Sequence, residues 1–516
     1  MNKNSRTIKR TKEYSLIQII TTIYMIIIFV GIALYSPEKY IRLDIHKWNL
    51  FIWSTTVYSI IGIIYIIWNG LYKKINFTDI FAIAYAVLCL LSYITTPYRE
   101  GLWKGAKGWY MGLWSQLCFI AMYFTISRYS KGNDFAIKAT IIGSLPIFIY
   151  AIMMRFGMDP LRYYDDITEQ QRFYHLSTIG QTSWYSSYLV LILPISMALY
   201  VYSKERMKKL LYGIAISVES MSLVTCNTDS AFLAYGAMLF VLFWLAFEEI
   251  NIMVGLIEVI LISLVSFKLI GLLQYIFSDR AVRLEEMSMM ISQGTISLIF
   301  LIVAILTYTL IRIVKHKVSD FDITKYKYIR SIVLSLVIGL IVVMILYIVL
   351  NTMEILPEAL QSKKNYLYFD DYWGNKRGYV WKNAIYSFTH GSILQMLIGC
   401  GPDSFACSMY TIIGKVKIFE YYRNIYNTDY AVFCAHNEWL NGLVTMGIMG
   451  LTAYVGIFVC SFRNSIRKAN VSRLQLAVSM AIAAYMAHNM FCYQQYVCTP
   501  VIFLLMGIAR SIEESE

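Results

Sequence analysis

The chain has 516 residues, of which 58% are hydrophobic and only 15% charged. A soluble protein of this length is about half apolar and about a quarter charged, so this composition excludes an ordinary cytosolic enzyme, a disordered chain and a secreted disulfide scaffold, and it points to a polytopic membrane protein. Lys and Arg (45) outnumber Asp and Glu (32) by 13; a nucleic-acid patch, attraction to anionic lipid or the positive-inside bias could each produce such an excess, and its placement along the chain decides among them.

A membrane-spanning helix takes about 20 mostly apolar residues. Fourteen such stretches follow in chain order, near 15–36, 49–70, 79–97, 110–128, 134–153, 183–203, 209–227, 229–247, 253–276, 292–313, 330–350, 437–461, 474–494 and 498–511. The first is too long for a signal peptide and lacks an obvious small-residue cleavage site, so it reads as an uncleaved helix. The expected fold class is all-α, a polytopic membrane protein with about fourteen transmembrane helices. Basic residues gather in alternate loops: Lys3, Arg6, Lys9, Arg10 and Lys12; Lys73 and Lys74; Arg128 and Lys131; Lys204, Arg206, Lys208 and Lys209; the stretch from Arg312 to Arg330; and Arg463, Arg467, Lys468 and Arg473. With fourteen helices all of these fall on one side, which puts both termini in the cytoplasm. The whole positive excess then lies in cytoplasmic segments and the outer face is neutral on balance, so the charge reads as a topology signal and no nucleic-acid partner is expected.

The longest polar stretch is the outer loop 351–436, which divides the chain into an N-terminal transmembrane bundle of about eleven spans (1–350), the loop itself, and three C-terminal spans (437–516). It is small for an independent domain and is expected to pack back onto the membrane helices. Val380, Trp381, Ala384, Ile385 and Phe388 recur in it at helical spacing, the pattern of an amphipathic helix at the outer surface. A loop of this size usually carries function. Of nine cysteines, Cys89, Cys118, Cys226 and Cys460 fall in apolar spans as packing residues; Cys400, Cys407, Cys434, Cys492 and Cys498 lie near the outer face, where the odd count leaves a disulfide open. Metal spacing, a P-loop and a dinucleotide fingerprint are all lacking. Glu219, Glu258 and Lys268 fall inside spans, where an ionisable group is a functional candidate unless it snorkels or pairs.

Three elements near the outer face can carry chemistry. His436-Asn437 precedes Gly447 and Gly450 by steps that keep His436, Leu440, Leu443, Gly447 and Gly450 on one helical stripe; the glycines would admit a packed neighbour, and the imidazole at the outer end can exchange a proton or bind an anion. Gly399-Cys400-Gly401-Pro402-Asp403 makes a tight turn whose N–H groups can face an anion, with Asp403 either a base or a cap of the turn. Arg377 and Trp381, four apart, share a helix face, a guanidinium for phosphate oxygens beside an indole for an apolar sugar face.

Together, Arg377-x-x-x-Trp381, the Gly399-x-Gly401-Pro402-x-x-Phe405 turn and His436-Asn437-x9-Gly447-x-x-Gly450 resemble the O-antigen ligase and polymerase family of bacterial membrane glycosyltransferases. Weaker echoes are Gly180-Gln181-Thr182 running on to Pro194, Thr228-Asp229-Ser230, and His488-Asn489. The chain departs from the family at Gln181, where asparagine is usual, and at Ala231, where arginine is usual. The resemblance implies an enzyme of the bacterial cytoplasmic membrane that takes a glycan from an undecaprenyl-diphosphate carrier on the outer face. It would pass the glycan to a hydroxyl of an acceptor, another glycan or a lipid core, with membrane lipids around it and without nucleotide sugar, metal or other cofactor. A leaving diphosphate needs fixed positive groups: Arg377 first, Arg280 and Arg283 second. His436 is then the catalytic base or a phosphate ligand, with Trp381, Gly401, Asp403, Asn437, Arg172 and His488 as further substrate-binding candidates. A fourteen-span flippase for lipid-linked glycans is the competing reading; two related halves with functional groups at the midplane would mark it, whereas this chain concentrates its polar chemistry in one outer segment.

Overall fold

Surrounded by lipid, a backbone can satisfy its N–H and C=O groups only as a helix or a closed barrel, and the apolar runs of this chain fold as helices. The computed structural model describes residues 15–69, 74–317, 321–426 and 432–512. The N-terminal bases Lys3, Arg6, Lys9, Arg10 and Lys12, as well as Lys73, lie outside the described residues. Among the described residues, ten helices are long and apolar enough to cross a membrane: Leu16–Leu34, Leu43–Asn69, Phe77–Thr95, Asp134–Arg155, Thr182–Tyr202, Asp229–Ala246, Ile250–Ile276, Thr295–Lys317, Ile323–Thr352 and Glu438–Lys468. The fold is thus an all-α polytopic membrane protein. Four further expected spans are also helices but fall short of that measure: Leu113–Tyr129, Arg206–Thr225, Arg473–His488 and Thr499–Ile512.

Arg206–Thr225 is long enough but opens on Arg206, Lys208 and Lys209, whereas the other three have 17, 16 and 14 residues. Thr499–Ile512 has 14 residues, about 21 Å at 1.5 Å each, against a hydrocarbon core of about 30 Å. All its residues from Thr499 to Ser511 are buried, and most of Arg473–His488 is too. With Thr182–Tyr202, they form the protein-wrapped centre. Ile323–Thr352 is almost wholly exposed, as a lipid-facing helix would be. The charges inside the expected spans meet polar neighbours, although Glu219 Oε2 has no hydrogen-bond partner among the described residues. Glu258 pairs with Lys209, Lys268 donates to the Gly294 carbonyl at 2.7 Å, and Glu219 accepts from Ser196 at 2.8 Å.

Two helices depart from the expected pattern, both near the outer loop. Glu438–Lys468 breaks at Gly447 (φ 66, ψ −177), and His436 lies ahead of the helix in a left-handed turn (φ 48). The expected stripe from His436 to Gly450 is therefore not one straight helical face. The stretch expected to span 474–494 stops at His488; residues 490–498 are non-helical until Thr499 restarts the chain as a helix. The outer loop folds into helices Gly378–Thr389, Ile393–Ile398 and Lys415–Tyr426. The buried face of Gly378–Thr389, with Val380 and Ala384, closes a small core with Phe405, Met409, Ile418, Val432, Ala435 and Val444. Val444 belongs to the Glu438–Lys468 helix, so the loop packs onto a membrane helix as expected, while Ile385 stays 52% exposed. A short hairpin pairs His175–Leu176 with Gly180–Gln181 and delivers Gln181 to the start of Thr182–Tyr202. All nine cysteines are free thiols.

Candidate active site

The segment around His436 is held from several sides. Asn437 caps the following helix by accepting the Leu440 N–H at 2.9 Å; asparagine suits this position because its side-chain oxygen replaces the missing backbone acceptor. The Glu438 N–H donates to the Asn489 carbonyl at 3.0 Å, the Ala435 N–H to Asn441 Oδ1 at 3.2 Å, and the Trp381 indole to the Ala435 carbonyl at 3.0 Å. Trp381, expected to touch substrate, thus also braces the His436 backbone. The imidazole is half-buried, stands edge-to-face against Tyr493 with ring centres 5.3 Å apart, and has no hydrogen-bond partner among the described residues. Burial and the neighbouring Arg377 guanidinium push its pKa down from 6.5 to about 3, so it is neutral at physiological pH.

Arg377 is set by a turn in which Gly374, Asn375 and Lys376 are left-handed (φ 60, 62 and 67). The turn delivers it to the first turn of Gly378–Thr389. The guanidinium lies over the Phe491 ring at 5.8 Å and makes neither an ion pair nor a hydrogen bond among the described residues. The Asp229 carboxylate, which accepts from Tyr366 at 3.5 Å, feels its charge without pairing with it. Phe491 also stacks on Trp381 at 6.0 Å. A half-buried cation on an aromatic platform next to a neutral imidazole suits an anionic group.

His488 is buried and fully engaged. Its Nε2 meets Ser186 at 3.1 Å and Ser230 at 3.2 Å, and its Nδ1 meets Ser187 at 3.4 Å and Asn489 at 3.2 Å. Asn489 in turn donates to Glu438, which also accepts from Tyr454 at 2.6 Å and from Tyr485. His488 therefore ties three helices together beneath Arg377, and Ser230 of the expected Thr228-Asp229-Ser230 turn is one of its anchors. Gln181 accepts from the Tyr493 hydroxyl at 2.8 Å, which links the hairpin to the ring beside His436.

The other candidates are placed differently. Asp403 Oδ2 accepts the backbone N–H groups of Ala106 (2.7 Å) and Met111 (3.1 Å); it organises the outer loop 98–112 more than it caps its own turn, and burial lifts its carboxyl to about 7. The Gly401 N–H bonds to the Thr445 carbonyl at 2.9 Å, so the glycine turn faces the kinked helix. An added Cβ at Gly447 would come within 2.5 Å of the Gly399 nitrogen, and this close backbone approach is the reason for glycine there. At Gly450 the nearest atoms all belong to Met446. Arg280 and Arg283 are exposed on the 277–285 turn, with Arg280 over Phe277 at 5.1 Å. Neither makes an ion pair with Glu285 or Glu286. Arg172 packs over Tyr164 at 5.5 Å. None of these three contacts the His436 group.

Residues 284–455 match the family model of O-antigen ligase. No curated protein matches the chain. The resemblance to the O-antigen ligase and polymerase family is borne out over that segment, and the chain is a membrane glycan-transfer enzyme of ligase or polymerase type, acting in general terms on a lipid-linked glycan and an acceptor. The matched segment contains Arg377, Trp381, Asp403, His436 and both helix glycines. Outside it lie Tyr493, whose ring meets His436, Phe491, whose ring carries Arg377, and the buried His488. Phe491 and Tyr493 are not among the residues expected from the sequence, because aromatic residues within an apolar run carry the same hydropathy whether they pack or line a site. The pair His488-Asn489 was the available signal that this run holds polar business.

Proposed function

We propose that the protein moves a glycan from undecaprenyl diphosphate to an acceptor hydroxyl at the outer face of the bacterial cytoplasmic membrane. The observation that carries this reading is the pairing of an unpartnered guanidinium, Arg377, with a neutral imidazole, His436, that has no hydrogen bond to give up. Arg377 binds the diphosphate. The acceptor oxygen attacks the anomeric carbon, its proton passes to His436, and the bond between the anomeric carbon and the diphosphate oxygen breaks with its electron pair leaving on undecaprenyl diphosphate. The diphosphate brings negative charge beside Arg377 and offsets the field that depresses His436, so donor binding makes the imidazole a better base. Asn437 and Trp381 hold His436 in place, and His488 anchors the floor. Arg280, Arg283 and Arg172, which do not contact the His436 group, take a place at the donor's entrance. The helices before residue 350 and after 437 form the membrane bundle around the outer segment 351–436, with both termini cytoplasmic, as the loop bases favour.

Lipid-linked products in a deletion strain test the reading. Accumulation of undecaprenyl-linked single repeat units identifies a polymerase, and accumulation of long lipid-linked chains identifies a ligase. An unchanged pool of lipid-linked glycan contradicts both.

A further inference from the structure

The Arg377 group accounts for a donor but leaves open where the acceptor lies. Phe491 and Tyr493 both rise from the non-helical 490–498 segment and serve different neighbours. Phe491 carries Arg377 and Trp381. Tyr493 carries His436 at 5.3 Å and Trp109 at 4.4 Å, and Trp109 stacks in turn near Phe433 at 6.1 Å. Trp109 and Phe433 are half-buried, and the Trp109 indole N–H makes no hydrogen bond among the described residues. This second group is aromatic and uncharged, and it meets the first through His436, the Trp381 bond to Ala435 and the segment they share.

The loop that presents Trp109 is built to hold it. Asp403 Oδ2 takes the backbone N–H groups of Ala106 and Met111, one on each side of Trp109, and the Trp109 backbone N–H closes a turn on the Ala106 carbonyl at 3.0 Å. Gln116, reached from the same loop, donates to the Met111 carbonyl and to Gln494 Oε1, both at 2.9 Å. Trp109 and Tyr493 line a cavity of about 40 Å³ together with Asp403, Glu438 and Asn441, with room for water. A fixed, half-open indole with a spare N–H donor, which shares the Tyr493 ring with His436, has the chemistry of a carbohydrate platform: the ring covers the apolar C–H face of a pyranose and the N–H takes a hydroxyl.

We propose that Trp109, with Phe433 and Tyr493, forms the acceptor subsite, where a sugar ring of the acceptor glycan stacks so that its hydroxyl reaches His436. This rests on the transfer reading above. Asp403 is a positioning residue for the platform, and the Arg377 side is left to the donor.

The test uses the full-length protein in lipid nanodiscs. The donor is the lipid-linked glycan of its own host, and the acceptor is the repeat-unit oligosaccharide released by mild acid from that host's surface polysaccharide. In Trp109→Ala the acceptor KM rises about tenfold while the donor KM stays within twofold, and Trp109→Phe recovers most of the loss, because stacking on a ring is worth one to a few factors of three in affinity, roughly. Should the alanine protein fail to accumulate, Trp109→Leu is read in its place; it keeps apolar bulk without a π face, and the same shift is expected. An acceptor KM unchanged in the alanine or leucine protein overturns the subsite, as does a rise in donor KM instead. Inactivity of His436→Ala alongside an unchanged acceptor KM in the Trp109 variants rejects the subsite alone, whereas full activity of His436→Ala rejects the transfer reading beneath it.

Discussion

At the scale of single residues, the site turns on the contrast between a cation without a counter-ion and an imidazole that cannot easily become one. With its pKa pushed down to about 3, His436 stays neutral where an ordinary histidine titrates, near 6.5. The sign for stability follows. The unfolded chain binds a proton at this histidine below about pH 6.5 and the folded chain does not, so the contribution is fully present above that value and is lost as the pH falls toward 3. For catalysis, kcat/KM reports the free enzyme and kcat the donor complex. The acid limb of kcat is therefore expected at higher pH than that of kcat/KM, and Arg377→Gln moves the free-enzyme limb upward. Coincident limbs in a pH–rate series would count against the coupling. Arg377 and His436 were legible as candidates because they stand in the motifs Arg377-x-x-x-Trp381 and His436-Asn437-x9-Gly447-x-x-Gly450. Trp109, Phe491 and Tyr493 were not, since an aromatic side chain at a membrane surface has many bland reasons to be there. Asp403 was legible as a turn residue, but its partners, Ala106 and Met111, are nearly 300 positions away in the chain, beyond any local pattern.

At the scale of elements, two interrupted helices make the site. Hydropathy found Glu438–Lys468 and Arg473–His488 because it counts apolar residues, but it does not register where a backbone unwinds. The run from Met490 to Cys498 is apolar but for Gln494 and Gln495 and contains neither glycine nor proline. It is nonetheless held open by the Glu438 N–H on Asn489 and by the Gln495 N–H on Thr499 Oγ1 at 3.0 Å. At Gly447 the sequence suggested a packing glycine, and close packing is what occurs, yet through a left-handed break against Leu397–Gly399 in place of a smooth helical face. Gly447→Ala introduces a Cβ within 2.5 Å of backbone atoms at positive φ. That backbone region, essentially reserved for glycine, costs another residue about 1–3 kcal/mol, and the contact adds to it. The expected outcome is a clearly lower thermal midpoint and less protein in the membrane, read by fluorescence-detected chromatography after heating. A wild-type midpoint would mean that the turn 399–401 can move aside at little cost.

At the scale of the whole molecule, helix class and most span positions were readable, because burial in lipid demands long apolar helices. The central helices Arg473–His488 and Thr499–Ile512 are short for the same reason that they are buried: protein and not lipid surrounds them. Under the expected topology the positive excess falls in cytoplasmic loops, and the proposed diphosphate site then depends on a placed charge. Among the described residues Arg377 is the cation that lies beside His436 without a counter-ion. The most direct measurement of this reading is glycan transfer by Arg377→Ala and His436→Ala in purified full-length protein, with membrane levels and thermal midpoints matched to the parent. Loss of transfer by at least a hundredfold in each is the expected result; full activity in both would contradict it.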